Sequence, residues 1–124
     1  MRFMMMVKAA EPSGPPPQGL MDAMGVHMQE AINKGTMVMA GGLAPMAQSH
    51  RVRLSSGKVS VIDGPFAETK EVVGGFAIMD FKSVEEALQA AQDFLALHKK
   101  HWPGWEGESE VRQLFGAEDY PPKK

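Results

Sequence analysis

The sequence predicts a single α+β domain in which one antiparallel sheet carries two helices on one of its faces. Three observations predict it. Short apolar runs and two helical patterns alternate in the order β-α-β-β-β-β-α-β. The chain has 124 residues, a length that suits one core, since single domains usually organise roughly 100–200 residues. Three of the strands carry apolar residues on both faces, and two helices cover a sheet on one face alone.

Residues 2–8 (R-F-M-M-M-V-K) read as the first strand, with Phe3, Met5 and Val7 on one face and Met4 and Met6 on the other. Four prolines and Gly14 then break the chain between Glu11 and Pro17. Pro17 suits a helix start, because the N–H it lacks has no partner in the first turn anyway. From Leu20 to Lys34 the pattern is helical: Leu20, Met21, Met24, Met28, Ala31 and Ile32 fall on one arc, opposite Asp22, Gln29 and Asn33. Gly25 weakens that helix by about 1 kcal/mol relative to alanine, and Gly35 supplies its stop. Thr36 to Leu43 is a second two-faced strand, ended by Ala44-Pro45.

Arg51–Leu54 and Lys58–Ile62 flank Ser55-Ser56-Gly57, a hairpin signal. Arg51 and Arg53 alternate there with Val52 and Leu54, so one side of the hairpin is expected to meet water. A loop from Asp63 to Val73 leads through Gly74-Gly75 to a strand over Phe76–Phe81. Ser83-Val84-Glu85-Glu86 is a capping box opening the second helix. That helix places Val84, Ala87, Leu88, Ala91 and Leu95 on one face and ends near His98-Lys99-Lys100, where positive charge suits its C-terminus. The loop Trp102-Pro103-Gly104-Trp105 and a strand over Glu110–Phe115 complete a domain of residues 1–116, with 117–124 as an exposed tail. Burying each apolar side chain is worth roughly 1.5–3 kcal/mol, so the uncovered sheet face needs a cover, and a second copy of the same sheet is the simplest one. A homodimer with its sheets face to face is expected; the alternative is a monomer whose hairpin folds over the open face.

Composition narrows function. With no cysteine, a disulfide scaffold, a thiolate metal site and a cysteine nucleophile are excluded. A net charge of −2 argues against a nucleic-acid partner, whose binders carry a basic patch. The apolar run Phe3–Val7 is shorter than the roughly 7–15-residue core of a signal peptide, and nothing approaches the roughly 18 apolar residues of a membrane span. No membrane contact and a cytoplasmic location are therefore expected. Eleven methionines against 7% aromatic residues suggest a core filled by flexible thioethers.

The most distinctive segment is D-G-P-F-A-E-T-K-E at 63–71, followed by G-G-F at 74–76. Physically it is a turn at a strand end: Asp63 can cap it, Phe66 can plug an apolar gap, and Glu68, Lys70 and Glu71 can pair locally. The string closely resembles the signature of the DGPF-domain proteins of the YCII-related family. The R-F-M-M-M-V-K start, A-G-G-L-A-P at 40–45, V-I-D-G-P-F at 61–66 and E-V-R-Q-L-F at 110–115 fall in the family's order over nearly the whole chain. The resemblance implies a ferredoxin-like β-α-β-β-α-β fold with an inserted β-hairpin, dimerising as an α+β barrel. It also implies small-molecule chemistry in some relatives through a His–Asp pair, the histidine lying on the first helix. Counting back from Gly35, that position holds Met24 here, and the helix's own histidine is His27, one turn later. Association of such proteins with extracytoplasmic-function sigma factors implies an alternative, a non-catalytic regulatory or interaction module.

The candidate catalytic residues are His27, Asp63 and Glu68; the candidate ligand-binding residues are Met24, Phe66 and Asp80. His27 reads either as a general acid/base, with a proton exchangeable near neutral pH, or as a half-buried packing histidine. Asp63 and Glu68 read either as a carboxylate pair for acid/base work or as turn caps and salt-bridge partners. Asp80 shares a strand face with Phe76 and Ile78, so it must find a partner, with Arg51, Arg53 and Arg112 on offer, or sit at the wet end of the sheet. His98 and His101 have H-x-x-H spacing but no third ligand nearby, and Lys99 and Lys100 oppose a cation, so partial burial explains His98 better than a metal. The two tryptophans of the W-P-G-W loop read equally as ligand contacts or as a packed connection. The expected function is binding of a small organic molecule in a cleft between sheet and first helix, with cofactor-free acid/base chemistry by His27 and Asp63 or Glu68. The rival is a scaffold without catalysis.

Overall fold

The computed structural model describes residues 1–10, 14–66 and 71–117. The elements run β1 (Arg2–Ala9), α1 (Gln18–Lys34), β2 (Met37–Gly42), a single 3-10 turn (Met46–Gln48), β3 (His50–Ser55), β4 (Lys58–Asp63), β5 (Val72–Asp80), α2 (Val84–His101) and β6 (Gly107–Gln113). Four strands form an antiparallel sheet in the order β2-β5-β1-β6, and β3 and β4 pair apart from it as a hairpin. This is the ferredoxin-like plan with an inserted hairpin. Glu68 and the tail residues 118–124 lie outside the described residues.

Register decides which side of the sheet each residue serves. Phe3 pairs with Met79 and Met5 with Ala77 and Val111, which turns this set toward the helices. Phe3 and Leu20 are fully buried, and Met5, Ala31, Met79 and Ala91 form the centre of the core. On the opposite face, Met4 pairs with Ile78 and Met6 with Phe76, and charged pairs flank them. Arg2 grips Asp80 through two hydrogen bonds of 2.8 and 3.1 Å, and Lys8 reaches Glu110 at 2.8 Å and Glu108 at 3.3 Å. The hydrogen bond from Arg2 holds the Asp80 carboxyl below the usual carboxylate range. Asp80 thus takes its cation from Arg2, its direct cross-strand neighbour, and not from Arg51, Arg53 or Arg112.

The helix ends follow their local chemistry. Gly35 adopts a left-handed φ of 77° and its N–H caps the carbonyls of Ala31 and Ile32. At the start of α2 the Ser83 hydroxyl accepts from the Glu86 N–H (3.2 Å), and the Glu86 carboxylate accepts from the Lys82 N–H (3.0 Å). The buried faces are rotated from the expected arcs. In α1 the inward stripe runs through Leu20, Met24, His27 and Ala31, while Met21, Met28 and Ile32 are 41–50% exposed. In α2 it runs through Ala87, Ala91, Phe94 and His98, leaving Val84 and Leu88 outward. Small alanines let both helices approach the sheet, and the larger apolar residues sit on the shoulders.

The hairpin turns at Ser56 (φ 52°) and Gly57 (φ 77°), the two positive φ angles that a two-residue turn with the right twist requires. Both of its sides are largely exposed in the single chain, the apolar one included: Val52, Leu54, Val59 and Val61 are each about 70% exposed, and Arg53 and Ser60 on the polar side are exposed too. Arg51, also on the polar side, is half-buried. No helix among the described residues is long and apolar enough to cross a membrane.

Two substitutions test this account of the helices by urea unfolding. Ser83→Ala removes the cap acceptor and is expected to cost about 1 kcal/mol. Gly25→Ala, whose new Cβ meets nothing within 4 Å, is expected to add up to about 1 kcal/mol.

Candidate functional site

Between the sheet and the helices the layers part, leaving an open cleft of about 1470 Å³. Ala31 and Ala91 seat the helices on Met5 and Met79, and Leu20 is buried in the first turn of α1, while Met21, Met24 and Met28 border the open space. The floor includes Met5, Val7, Ala77 and Met79; the helices contribute Met24, His27, Phe94 and His98; Pro45, His50, Arg51 and Phe66 lie round the mouth. Seven of the eleven methionines line it: Met5, Met21, Met24, Met28, Met37, Met46 and Met79.

The D-G-P-F segment builds the mouth. Asp63 is the cross-strand partner of His50, and the His50 Nδ1 lies 2.7 Å from the Asp63 carboxylate. Gly64 donates its N–H to the Ser49 carbonyl at 2.8 Å, and a Cβ on it would stand 2.0 Å from the Met46 carbonyl oxygen. Only glycine fits there. The Gly64–Pro65 bond is cis, and Phe66 that follows is buried with the Arg51 guanidinium 3.7 Å above its ring. That cation–π contact explains why the hairpin turns Arg51 inward.

The candidate residues therefore separate. Met24, His27 and Phe66 line the cleft; Asp63 and Asp80 do not. His27 is half-buried with its ring 5.9 Å from that of Phe94, and among the described residues no carboxylate hydrogen-bonds to it. The carboxylate expected to partner it, Asp63, is held by His50. Asp80 lies on the opposite face of the sheet with Arg2, because residues 76, 78 and 80 alternate away from Ala77 and Met79.

Two further histidines belong to the site: His50, which the sequence reading does not single out, and His98, which it weighs only for a metal and reads as partly buried. His50 has a legible signal, since counting outward from the Ser56-Gly57 turn puts it directly opposite Asp63. His98 is 5% exposed and belongs to a run of rings along one wall of the cleft. The centroids are 5.9 Å apart from His27 to Phe94, 5.0 Å from Phe94 to His98, 4.5 Å from His98 to Trp105 and 6.2 Å from Trp105 to Trp102. The W-P-G-W loop thus packs its tryptophans against the buried histidine and also reaches the cleft.

The YCII-related domain matches residues 1–97. The chain belongs to the YCII-related family. An uncharacterized protein of Rhizobium meliloti (strain 1021) is 40% identical over 62 residues, which is half of this chain and half of that one. The chain spans only that half of the curated relative's length in the match. Among solved structures, the YCII-family chain resembles 5-chloro-2-hydroxyhydroquinone dehydrochlorinase from Burkholderia phenoliruptrix AC1100, determined with 2,5-dihydroxybenzoquinone. The TM-score is 0.50 at 17% identity, covering 95% of this chain and 97% of the other, a likeness of fold.

Gly64→Ala tests the construction of the mouth. Forcing a methyl group against the Met46 carbonyl is expected to cost about 1–3 kcal/mol in unfolding free energy. It should also shift the ring NMR signals of His50, one residue beyond the Ser49 carbonyl that Gly64 holds.

Proposed function

We propose that this YCII-family protein binds a small, largely apolar organic molecule in the cleft, without a cofactor, and moves a proton on it with the His50–Asp63 pair at the mouth. The observation that carries the reading is the cleft itself: a concave, methionine-rich space with a few polar groups at its edge is the usual make-up of a small-molecule site. Asp63 keeps the role of carboxylate partner, because a carboxylate on Nδ1 sets the ring's tautomer and steadies the imidazolium that forms when Nε2 takes a proton. His50 takes the proton-carrying role that the sequence alone suggests for His27. Met24, His27 and Phe66 serve as ligand contacts. That a solved protein of the same fold holds 2,5-dihydroxybenzoquinone agrees with a ligand of about this size.

The working unit in this reading is a homodimer, with the outer sheet faces packed together. Met4, Met6, Phe76 and Ile78 form an apolar patch there, Met39 beside it is 56% exposed, and ion pairs border it. A second reading, an interaction module without catalysis, is favoured by one observation: the apolar side of the hairpin, Val52, Leu54, Val59 and Val61, is about 70% exposed in the single chain.

Native mass spectrometry against a library of small aromatic compounds tests the cleft: wild-type protein is expected to retain ligands that Met24→Trp, which fills the cleft, loses. For a ligand that is turned over, the rate should follow a pH profile that His50→Ala abolishes and His27→Phe preserves; the reverse pattern would return the chemistry to His27. Sedimentation equilibrium should give twice the chain mass for the wild type and the chain mass for Met6→Glu. A monomeric wild type at micromolar concentration would contradict the dimer.

A further inference from the structure

We propose that His98 forms a hydrogen-bond-accepting subsite on the α2 wall of the cleft, selective for a hydroxylated aromatic ring of the phenol class. The proposal rests on the cleft being the ligand site. His98 is 5% exposed, and its Nδ1 lies 3.1 Å from the Phe94 carbonyl oxygen one turn earlier. A carbonyl only accepts, so Nδ1 carries the hydrogen, and in the neutral ring Nε2 is left as a bare acceptor. Among the described residues nothing hydrogen-bonds to Nε2. No fully enclosed side-chain nitrogen or oxygen among them lacks a partner either, so Nε2 keeps an opening. His98 lines the cleft and not the smaller pocket between Leu95, Lys99 and Trp105, which puts the edge of its ring beside the cleft.

The surroundings choose the group that meets this acceptor. The lining residues of α2 are Ala90, Ala91, Phe94 and His98, with no lysine, arginine or carboxylate among them. A carboxylate ligand would find no cation on that wall, and an ammonium would face apolar surface. A neutral hydroxyl supplies the donor that Nε2 needs at the least desolvation cost. Phe94 stands edge-on to the imidazole at 5.0 Å and Trp105 covers it at 4.5 Å, so the adjoining wall is made of ring faces and edges. Met24 and Met28 of α1 also line the cleft, and their thioethers pack well on aromatic rings. A flat ring bearing one hydroxyl satisfies both parts of this wall.

The probes are 4-fluorophenol and 4-fluoroanisole, titrated at pH 7.5 and followed by fluorine NMR. Wild-type protein should bind the phenol about threefold to tenfold more tightly than its methyl ether. His98→Phe, which keeps a ring in the stack, should abolish that preference, and Gln92→Ala, on the exposed side of α2 away from the cleft, should keep it. Should His98→Phe fail to fold, nitrogen NMR of the wild-type ring decides the same question: the phenol should move the Nε2 signal of His98 and the ether should not. Equal affinity for both probes in wild type, with binding lost in Met24→Trp, would overturn the subsite and leave the cleft as a ligand site. No binding of either probe, or binding indifferent to Met24→Trp, would overturn both.

Discussion

The close approach of Gly64 to the Met46 carbonyl is the constraint on which the mouth of the cleft depends. With no Cβ at Gly64, the D-G-P-F turn lies against the 46–49 turn and ties to it through the Ser49 carbonyl. That contact anchors a hairpin whose two strands, among the described residues, pair only with each other. Such a ribbon is marginal alone in water and needs something to pack on. Phe66, buried immediately after the turn, and Arg51 above it supply that packing. His50 and Asp63 then close the base of the hairpin as a cross-strand pair beside the cleft. Four consecutive residues of sequence thus join a local backbone requirement to the chemistry at the mouth.

Behind the mouth, residue size decides the shape. Ala31, Ala87 and Ala91 are buried and bring the helices down onto the sheet, while the early turns of α1 carry Met21, Met24 and Met28 toward open space. An unbranched thioether adapts to an irregular wall and to different occupants, as few aromatic residues would. The methionine surplus, which reads from composition alone as core filler, is therefore divided: part of it packs the core, and most of it also borders the cleft.

Much of this is legible in the residues. Strand and helix order, the Ser83–Glu86 capping box, the Gly35 stop and the Ser56-Gly57 turn each follow from local chemistry, and each has its structural counterpart. The helix faces are less legible, because Met21, Met28 and Ile32 are as apolar as the residues actually buried and only the seating of the alanines separates them. Alternation along β5 puts Asp80 on the correct face, but its partner comes from the far end of the chain, since Arg2 becomes its neighbour only when β1 pairs with β5. The His50–Asp63 pair follows from hairpin register and needs only counting. His98 does not: a buried histidine bonded to its own helix looks in sequence like any packing residue, and its open nitrogen exists only once the cleft does.

In the proposed reading the cleft, and no other surface, receives a small organic ligand. Methyl NMR of the eleven methionines during titration with 4-fluorophenol tests it most directly, because the sulfur methyls report on both sides of the sheet. Shifts are expected for cleft residues such as Met5, Met24, Met28 and Met79, with Met4, Met6 and Met39 on the outer face unmoved. Shifts confined to Met4, Met6 and Met39, or none at saturating ligand, would contradict it.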